Sequence, residues 1–298
     1  MKKTVLIADK NGQLGNQLFI FAHFISNSIE NNYRLIFPAF NELSVYFDYA
    51  SKNRFGKYPI RCRIFKWSLL NNISLFILRM IVAVIFRTVP VSKFHRIIRL
   101  YETFDLHIDN YAFYNLDKEE KFLKKEKFLI MQGWSFRSPE SVNRQRNNVR
   151  PLFQLVPYWR KKVDDFISEC RIKNDVLIGV HIRRGDYRTF TGGIYFYDDA
   201  TYKNYIQQVK ALFPGKKVRF VICSNEKVDL WEIEGCDLTY PYGHFIEDLY
   251  SLAECDYIIG PPSTFSQWAS YFGNKPLRII WNADSTILSL DEFKIANL

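Results

Sequence analysis

The pattern of apolar positions alternates along the chain between short continuous runs and longer segments with helical spacing. In the C-terminal half, short apolar runs predict buried strands at residues 176–182, 218–224, 257–259 and 277–281. Segments with the three- to four-residue spacing of amphipathic helices lie beside them, at residues 163–170, 199–213, 247–254 and 263–272. Because strands that alternate with helices are typical of a parallel sheet covered by helices, the sequence predicts an α/β fold.

The N-terminal half begins with the same alternation. Residues 3–8, 35–37 and 128–131 predict strands, and residues 11–31 predict a glycine-containing turn that leads into a helix. A polar stretch with Pro139, Pro151 and Pro157 marks the crossing to the second half. The 298 residues are enough for two domains, which we predict over residues 1–155 and 156–298.

The positive charge of the chain is concentrated in one segment. Residues 51–100 contain eleven lysines and arginines and no Asp or Glu, whereas the formal net charge of the whole chain is +10. Residues 73–89 form an almost continuous apolar run, but the run is short for a membrane span and contains Arg79. Lys93, Arg96 and Arg99 follow at a spacing that would place three cations on one helical face.

This segment has two interpretations. One is an apolar hairpin buried in the first domain as an insertion. The other is a helix that lies on an anionic membrane surface, with cations on both sides of its apolar part.

The cysteines and the start of the chain indicate which cellular compartment to expect. The five cysteines include no Cys-x-x-Cys pair, which argues against a disulfide framework and against a zinc site. The apolar run at the start of the chain is too short for a signal peptide. We therefore expect a cytoplasmic protein, which would be peripheral on the inner membrane face if the basic segment docks there.

The most informative stretch follows the strand predicted at 176–182. His181 lies near the end of that strand, and Arg183, Arg184, Gly185 and Asp186 come directly after it. In open α/β sheets, ligands bind beyond the carboxyl ends of the strands. Two adjacent arginines there can hold a diphosphate through charge-assisted hydrogen bonds, and Gly185 suits a tight turn with positive φ. The alternative is a surface salt bridge of either arginine with Asp186.

Two other stretches have features of anion sites. Asn16 and Gln17 begin the first predicted helix after a glycine-containing turn, where free backbone N–H groups favour an anion. A second helix start, at residues 263–267, carries hydroxyl and amide side chains, namely Ser263, Thr264, Ser266 and Gln267. Ser263 or Thr264 is also a natural N-cap, so helix capping alone could explain that pattern. Asp248 could accept hydrogen bonds from a nucleotide base or ribose, or could be an ordinary surface carboxylate.

Three motifs together resemble the bacterial α-1,2-fucosyltransferases of glycosyltransferase family 11. They are Gly-Gln-Leu-Gly-Asn-Gln-Leu-Phe from Gly12, His-Ile-Arg-Arg-Gly-Asp-Tyr from His181, and Ser-Thr-Phe-Ser-Gln-Trp from Ser263. They occur in the family order and cover most of the chain except residues 40–125. The resemblance implies a GT-B fold, in which two Rossmann-like domains face a cleft, with an acceptor-side domain first and a donor domain second.

The same resemblance implies an activity. GDP-fucose would be the donor substrate, no cofactor or metal would be required, and inversion at the anomeric carbon would give an α-1,2 linkage to a galactoside. Arg183 would hold the donor phosphate, His181 and Asp248 the guanosine, and Ser266 and Gln267 the pyrophosphate. The acceptor would be a galactose-containing precursor of a surface glycan, free or lipid-linked.

The chemistry of such a transfer assigns roles to the charged cluster. Arg183, with help from Arg184, would stabilise the negative charge that grows on the leaving diphosphate. Asp186 is the nearest carboxylate in sequence and a candidate base for the acceptor hydroxyl, although it could instead orient Arg183. Two other functions remain open, a transferase of another nucleotide sugar and a non-catalytic binder of anionic glycans or nucleic acid. The preferred interpretation is the fucosyltransferase, with no nucleic-acid partner.

Overall fold

The computed structural model describes residues 3–10, 12–65, 67–88, 97–100, 113–118, 127–228 and 233–298. The chain divides into two compact units, Met1–Pro157 with Leu298 and Tyr158–Asn297. The division therefore comes after Pro157, where the sequence predicted it after residue 155. The acceptor and donor roles of the two halves remain predictions.

The first unit contains a five-stranded parallel sheet. Its described strands are β1 (Thr4–Ile7), β2 (Arg34–Ile36), β3 (Ile60–Arg61), β4 (Ile97–Leu100) and β6 (Phe128–Gly133), in the order β3-β2-β1-β6-β4. Two short strands, β5 (Tyr114–Asn115) and β7 (Phe136–Arg137), form a separate parallel pair. The helices are α1 (Leu14–Asn31), α2 (Asp48–Ser51), α3 (Ser68–Thr88), α4 (Pro139–Arg144) and α5 (Arg146–Val149), with 3₁₀ turns at Pro38–Glu42, Ser44–Tyr46 and Arg150–Phe153.

Helix α1 and a cluster of phenylalanines form the core of this unit. Phe21 on α1 lies with its ring centroid 4.8 Å from that of Phe40 and 5.3 Å from that of Phe37. Phe153 packs edge-on against Phe21, with centroids 5.7 Å apart. Such tilted and edge-on pairs add to the burial of apolar area, and they fix α1 against the sheet that begins at β1.

One expectation for the basic segment is wrong. Ile97–Leu100 is a strand that pairs in parallel with β6, so Arg99 belongs to a sheet and not to a helical face. The β-branched pair Ile97 and Ile98 explains the preference, since such residues suit a pleated strand. Lys93 and Arg96 lie outside the described residues.

Helix α3 extends beyond the apolar run predicted at 73–89, because it begins at Ser68. None of the described helices is long and apolar enough to cross a membrane.

The second unit contains a six-stranded sheet. Its strands are β8 (Val176–Ile182), β9 (Val218–Ser224), β10 (Asp237–Thr239), β11 (Tyr257–Gly260), β12 (Pro276–Ile279) and β13 (Lys294–Ile295). The helices are α6 (Pro157–Arg171), α7 (Asp199–Ala211), α8 (Phe245–Glu254) and α9 (Thr264–Gly273), with 3₁₀ turns at Gly185–Arg188, Phe190–Gly193 and Leu290–Glu292. The sheet order is β10-β9-β8-β11-β12-β13, and only β13 is antiparallel to its neighbour.

This order places a topological switch point between β8 and β11. Counted along the chain from β8, the strands follow the order 3-2-1-4-5-6, which is that of the classic dinucleotide-binding sheet. The chain leaves β8 on one side toward β9 and leaves β11 on the other toward β12. A crevice therefore opens beyond the carboxyl ends of β8 and β11, where such folds bind their ligands.

Candidate active site

The candidate site lies at the switch point, where β8 and β11 end side by side. Ile259 pairs with Val180, and Gly260 packs closely on His181: a Cβ at this glycine would stand 2.9 Å from that of His181. The hydroxyl of Tyr187, after β8, donates to the carbonyl of Pro262, after β11. The two segments that the sequence identified separately are thus joined at one edge of the sheet.

Arg183 is the first residue after β8, and its guanidinium contacts the side chains of Asp186 and Tyr187 in the turn that follows. Its Nη2 lies 2.9 Å from Oδ1 and 3.0 Å from Oδ2 of Asp186, and its guanidinium carbon lies 5.6 Å from the ring centroid of Tyr187. The Arg183 side chain is largely covered, whereas Asp186 is more than half exposed. A largely covered guanidinium at a strand end can form strong charge-assisted hydrogen bonds with an incoming anion.

Arg184 points elsewhere. Its Nη2 pairs with Asp199 at the start of α7, and its backbone N–H donates to Oδ1 of Asn225 at 2.8 Å. Gly185 follows with φ of +60°, so the predicted tight turn with positive φ is confirmed. A Cβ at Gly185 would stand 3.0 Å from Nδ2 of Asn225. The guanidinium of Arg184 therefore ties the turn to α7, which is a structural contact.

His181 is buried and neutral. Its ring stacks on Phe265 of α9, with centroids 5.0 Å apart and planes inclined by 29°. Burial, with the positive charge of Arg183 as a smaller cause, lowers the pKa of His181 to about 3. Its Nδ1 is buried without a hydrogen-bond partner in the described part of the chain. A neutral imidazole can donate through one nitrogen and accept through the other, which suits recognition of a base edge.

The start of α9 has the cap that the sequence predicted. Ser263 is the N-cap, and its Oγ accepts from the backbone N–H of Phe265 at 3.2 Å. Ser266 is fully buried, and its Oγ donates to the carbonyl of Ser263 at 3.3 Å. Thr264 and Gln267 are half-buried in the same turn. The hydroxyl of Ser266 thus serves the helix start, while Thr264 and Gln267 remain accessible.

Asp248 lies in the first turn of α8, beside the neighbouring strand β9. Its carbonyl accepts a hydrogen bond from the thiol of Cys223 at 3.5 Å, and Cys223 is the register partner of His181. Burial, followed by the nearby carboxylate of Glu247, raises the pKa of Asp248 to about 7. Glu247 is itself buried and lies 3.0 Å from Nζ of Lys162. Asp248 therefore titrates close to neutral pH.

Asn16 and Gln17 belong to the first unit, so the structure does not group them with the other predicted residues. Both lie in the first turn of α1, as predicted. Gln17 is buried, and its Nε2 donates to the carbonyl of Gly12 at 3.1 Å. Gly12 has φ of +64°, and a Cβ there would collide with Asn16. These contacts show a tight turn that is held by its own side chains.

Sequence reasoning missed four residues that shape the site. Asn225 and Asp199 hold Arg184, Phe265 stacks on His181, and Tyr187 bridges the two strand ends. Asn225 could have been predicted from the sequence, because it directly follows the strand at Val218–Ser224 and must therefore lie at the same sheet edge. The other three act through an ion pair, a ring contact and a hydrogen bond to other segments of the chain, which residue spacing does not reveal.

The arrangement provides the cation of Arg183, a capped helix start and neutral hydrogen-bonding groups at one sheet edge. Such a set suits a ligand with a diphosphate and a base. Within the described ranges, no group of three or more His, Cys, Asp or Glu side chains is placed to hold a metal ion.

Comparisons with known proteins identify a family and a fold. The model of the family described as Glycosyl transferase family 11 matches residues 10–295. A comparison with curated protein sequences found no match.

Several solved structures with a similar fold are fucosyltransferases. A mutant of Arabidopsis thaliana FUT1 in complex with GDP aligns over 93% of this chain and 70% of its own, with a TM-score of 0.59 and 14% identity. NodZ α-1,6-fucosyltransferase soaked with GDP-fucose covers 91% and 93%, with a TM-score of 0.54 and 16% identity; NodZ is from Bradyrhizobium. POFUT1 in complex with GDP covers 93% and 97%, with a TM-score of 0.55 and 13% identity. At such identities the likeness shows the fold, and the predicted α/β fold of GT-B type is confirmed.

Proposed function

The chain belongs to glycosyl transferase family 11, and from this premise we propose that it transfers L-fucose from GDP-fucose to a hydroxyl group of a galactoside. The observation that carries the proposal is the position of Arg183 directly after β8, at the switch point of the second sheet. The structural neighbours in complex with GDP or GDP-fucose support this choice of donor.

The donor site would use the second unit. Neutral His181 and the carboxylate of Asp248 would recognise the guanine edge, because a carboxylate accepts from the N–H groups of guanine. Arg183 would hold the diphosphate, with Thr264, Gln267 and the N-cap Ser263 at the start of α9. Ser266 is buried and its hydroxyl is engaged by the Ser263 carbonyl, so its part in holding the pyrophosphate would be to fix the start of this helix. Arg184 would act by fixing the turn against α7 and not by binding the donor.

The proposed chemical step is a direct displacement. The acceptor oxygen attacks the anomeric carbon of fucose on the face opposite GDP, the bond from that carbon to the phosphate oxygen breaks, and the configuration inverts. Negative charge grows on GDP as it leaves, and Arg183 stabilises it with fixed charge and aligned N–H donors. No metal is needed in this proposal, because the arginine supplies the positive charge.

Asp186 has two possible parts in this mechanism. Its ion pair with Arg183, at 2.9 Å, supports an orienting role. Its exposure supports access to an acceptor hydroxyl, as a base requires. We propose that Asp186 orients Arg183 in the unloaded site, and that it is released to act as the base when the diphosphate takes its place.

The acceptor and the location are the finer parts of the proposal. The α-1,2 linkage to galactose rests on the motif resemblance alone, since the structural neighbours include an α-1,6-fucosyltransferase. We propose that the acceptor is a galactose-containing precursor of a surface glycan, that the enzyme is cytoplasmic, and that it works peripherally at the inner membrane face. Asn16 and Gln17 in the first unit remain a prediction as donor-binding residues.

A donor panel tests this function. The purified protein is incubated with galactosides and with GDP-fucose, GDP-mannose, UDP-galactose or UDP-glucose, and the released nucleotide and the product linkage are determined. We expect transfer from GDP-fucose alone and an α-1,2 linkage. Transfer from another donor would favour a different nucleotide-sugar transferase. Binding to anionic polymers that is lost in salt, without turnover, would favour a non-catalytic binder that uses residues 51–100.

A further inference from the structure

Helix α3 turns an apolar stripe toward solvent. Six of its residues, at positions i, i+4, i+7, i+8, i+11 and i+12, are between 46% and 71% exposed: Leu69, Ile73, Phe76, Ile77, Met80 and Ile81. We call these six residues the outer stripe. On a helix of 3.6 residues per turn they share one face. Helices of globular proteins normally turn such a stripe toward the core, so α3 has the opposite orientation.

The face of α3 that packs on the protein explains this orientation. Asn71 is buried, and its side chain bonds the backbone of Ile64, Phe65 and Trp67 at 2.7 to 3.1 Å. One and two turns further on, Leu75 is buried and Nε of Arg79 donates to the carbonyl of Ala8 at 2.9 Å. Arg79 thus ties this face of α3 to the start of the first unit, Asn71 ties it to the segment before the helix, and the apolar residues of the other face are left outside.

Exposed cations lie next to the start of α3. Asn53 accepts from the backbone N–H groups of Cys62 and Arg63 at 2.7 and 2.9 Å, so the loop at residues 52–57 is tied to the segment that leads into α3. Three cations of this loop and of β3 are exposed, namely Arg54, Lys57 and Arg61. Trp67, immediately before α3, is also exposed. Tryptophan favours the boundary between headgroups and hydrocarbon.

From these contacts we propose that the outer stripe of α3 docks on an anionic lipid surface, with α3 lying in the plane of the interface. Phe76 and its neighbours would enter the acyl boundary, and Arg54, Lys57 and Arg61 would meet the headgroups. An amphipathic helix binds a membrane through apolar burial together with electrostatic attraction to anionic lipid. Both components are present here, in exposed residues between Arg54 and Ile81.

A second copy of the chain fits this surface less well. In a twofold dimer the same patch of both subunits meets, so two outer stripes would bring two sets of these cations together. Residues 51–100 contain no Asp or Glu to offset them. An anionic bilayer provides the opposite charge, and therefore charge complementarity selects the membrane as the occupant.

This inference adds a specific surface to the membrane location given in the proposed function. It rests on the proposed function only for the biological purpose of docking. Its test measures lipid binding and not turnover, so that the two proposals can fail separately. The outer stripe contains no residue of the candidate active site.

The experiment is vesicle co-sedimentation of the full chain. Vesicles of phosphatidylcholine alone are compared with vesicles of phosphatidylcholine mixed with phosphatidylglycerol, at low and moderate salt. The wild type should bind the mixed vesicles, and less so in salt. F76E/M80E should reduce the partition coefficient by about tenfold or more, and K57E/R61E should remove the preference for anionic lipid. L288E is the matched control, because Leu288 is a highly exposed apolar residue of the second unit.

Three results would overturn the inference. One is a wild type that stays in the supernatant with every vesicle. Another is equal binding by F76E/M80E and the wild type. The third is a dimer in sedimentation velocity that F76E/M80E dissociates, together with no vesicle binding, which would identify a second copy as the occupant. Fucosyl transfer to a soluble galactoside is measured for F76E/M80E in parallel and should equal that of the wild type, which shows that the variant is folded.

Discussion

The carboxyl group of Asp248 should make both stability and nucleotide binding depend on pH near neutrality. Burial and the neighbouring Glu247 raise its pKa to about 7, from an ordinary value of 3.8. At 1.36 kcal/mol per pKa unit, this shift sets an upper limit of about 4 kcal/mol on the free energy involved. Because the carboxyl is partly open to solvent, we expect about 2 kcal/mol.

The sign follows from which state holds the proton more tightly. The folded state has the raised pKa, so its extra stability is fully present below about pH 4 and is lost as the pH rises through about 7. Asp248→Asn cannot lose a proton. Relative to the wild type, the variant should therefore gain about 2 kcal/mol in free energy of unfolding as the pH rises from about 4 to about 7.

Nucleotide binding should respond in the opposite direction. If the carboxylate accepts from guanine, the wild type must release the Asp248 proton to bind GDP. Its affinity for GDP should then rise between about pH 6 and pH 8, whereas that of Asp248→Asn should be weaker and nearly independent of pH. ADP has the same diphosphate but lacks the guanine N–H donors. Protonation of the phosphates affects the binding of both nucleotides equally, so the ratio of GDP to ADP affinity reports the contact with the base alone.

Urea unfolding and titration calorimetry measure the two effects. Glu247→Gln is the informative companion, because removal of the neighbouring carboxylate should lower the pH at which GDP binding changes. Parallel stability profiles of wild type and Asp248→Asn from acid to alkaline pH would refute the raised pKa. An unchanged ratio of GDP to ADP affinity in Asp248→Asn would refute the contact with guanine.

Three further predictions concern the turn and the chemistry. Arg184→Ala should lower the free energy of unfolding by about 1–3 kcal/mol, because it leaves Asp199 without its ion-pair partner. Its KM for the donor should stay within about threefold of the wild type, and a large rise in KM would show that Arg184 binds the donor. Gly185→Ala should cost about 1–3 kcal/mol through its positive φ in chemical unfolding; a change below about 0.5 kcal/mol would contradict a rigid turn. Turnover should persist in excess EDTA, and a loss that Mg²⁺ restores would contradict the metal-free mechanism.

The strands of the second unit and the edge where the site lies were predictable, because both depend on local patterns. Short β-branched runs predicted β8 and β9 with their bounds unchanged. The turn chemistry at Gly185 and the N-cap at Ser263 were equally local. Once the sheet is parallel, the residues that follow neighbouring strands must lie at one edge.

What the sequence could not supply depends on packing between distant residues. Arg183 and Arg184 are adjacent, so the sequence does not tell which of them pairs with Asp199. The structure shows that Asp199 pairs with Arg184. For α3, periodicity defines two faces but does not say which one faces the protein. Asn71 and Arg79 settle that question through bonds to backbone groups, one of them 71 positions away along the chain. Arg99 was misread because a three-residue spacing of cations does not distinguish a helix from a strand, whereas the β-branched Ile97 and Ile98 favour the strand.

The central claim is that Arg183 stabilises GDP as it leaves fucose. The most direct measurement is the rate of fucosyl transfer from GDP-fucose by the wild type, Arg183→Ala and Arg183→Lys, with folding checked by thermal unfolding. Arg188→Ala is the matched control, because Arg188 lies in the same turn but pairs with Glu226. We expect Arg183→Ala to lose about 2–4 kcal/mol of barrier reduction, Arg183→Lys to recover little of it, and Arg188→Ala to stay near the wild-type rate. Transfer by folded Arg183→Ala at a rate close to that of the wild type would contradict the account.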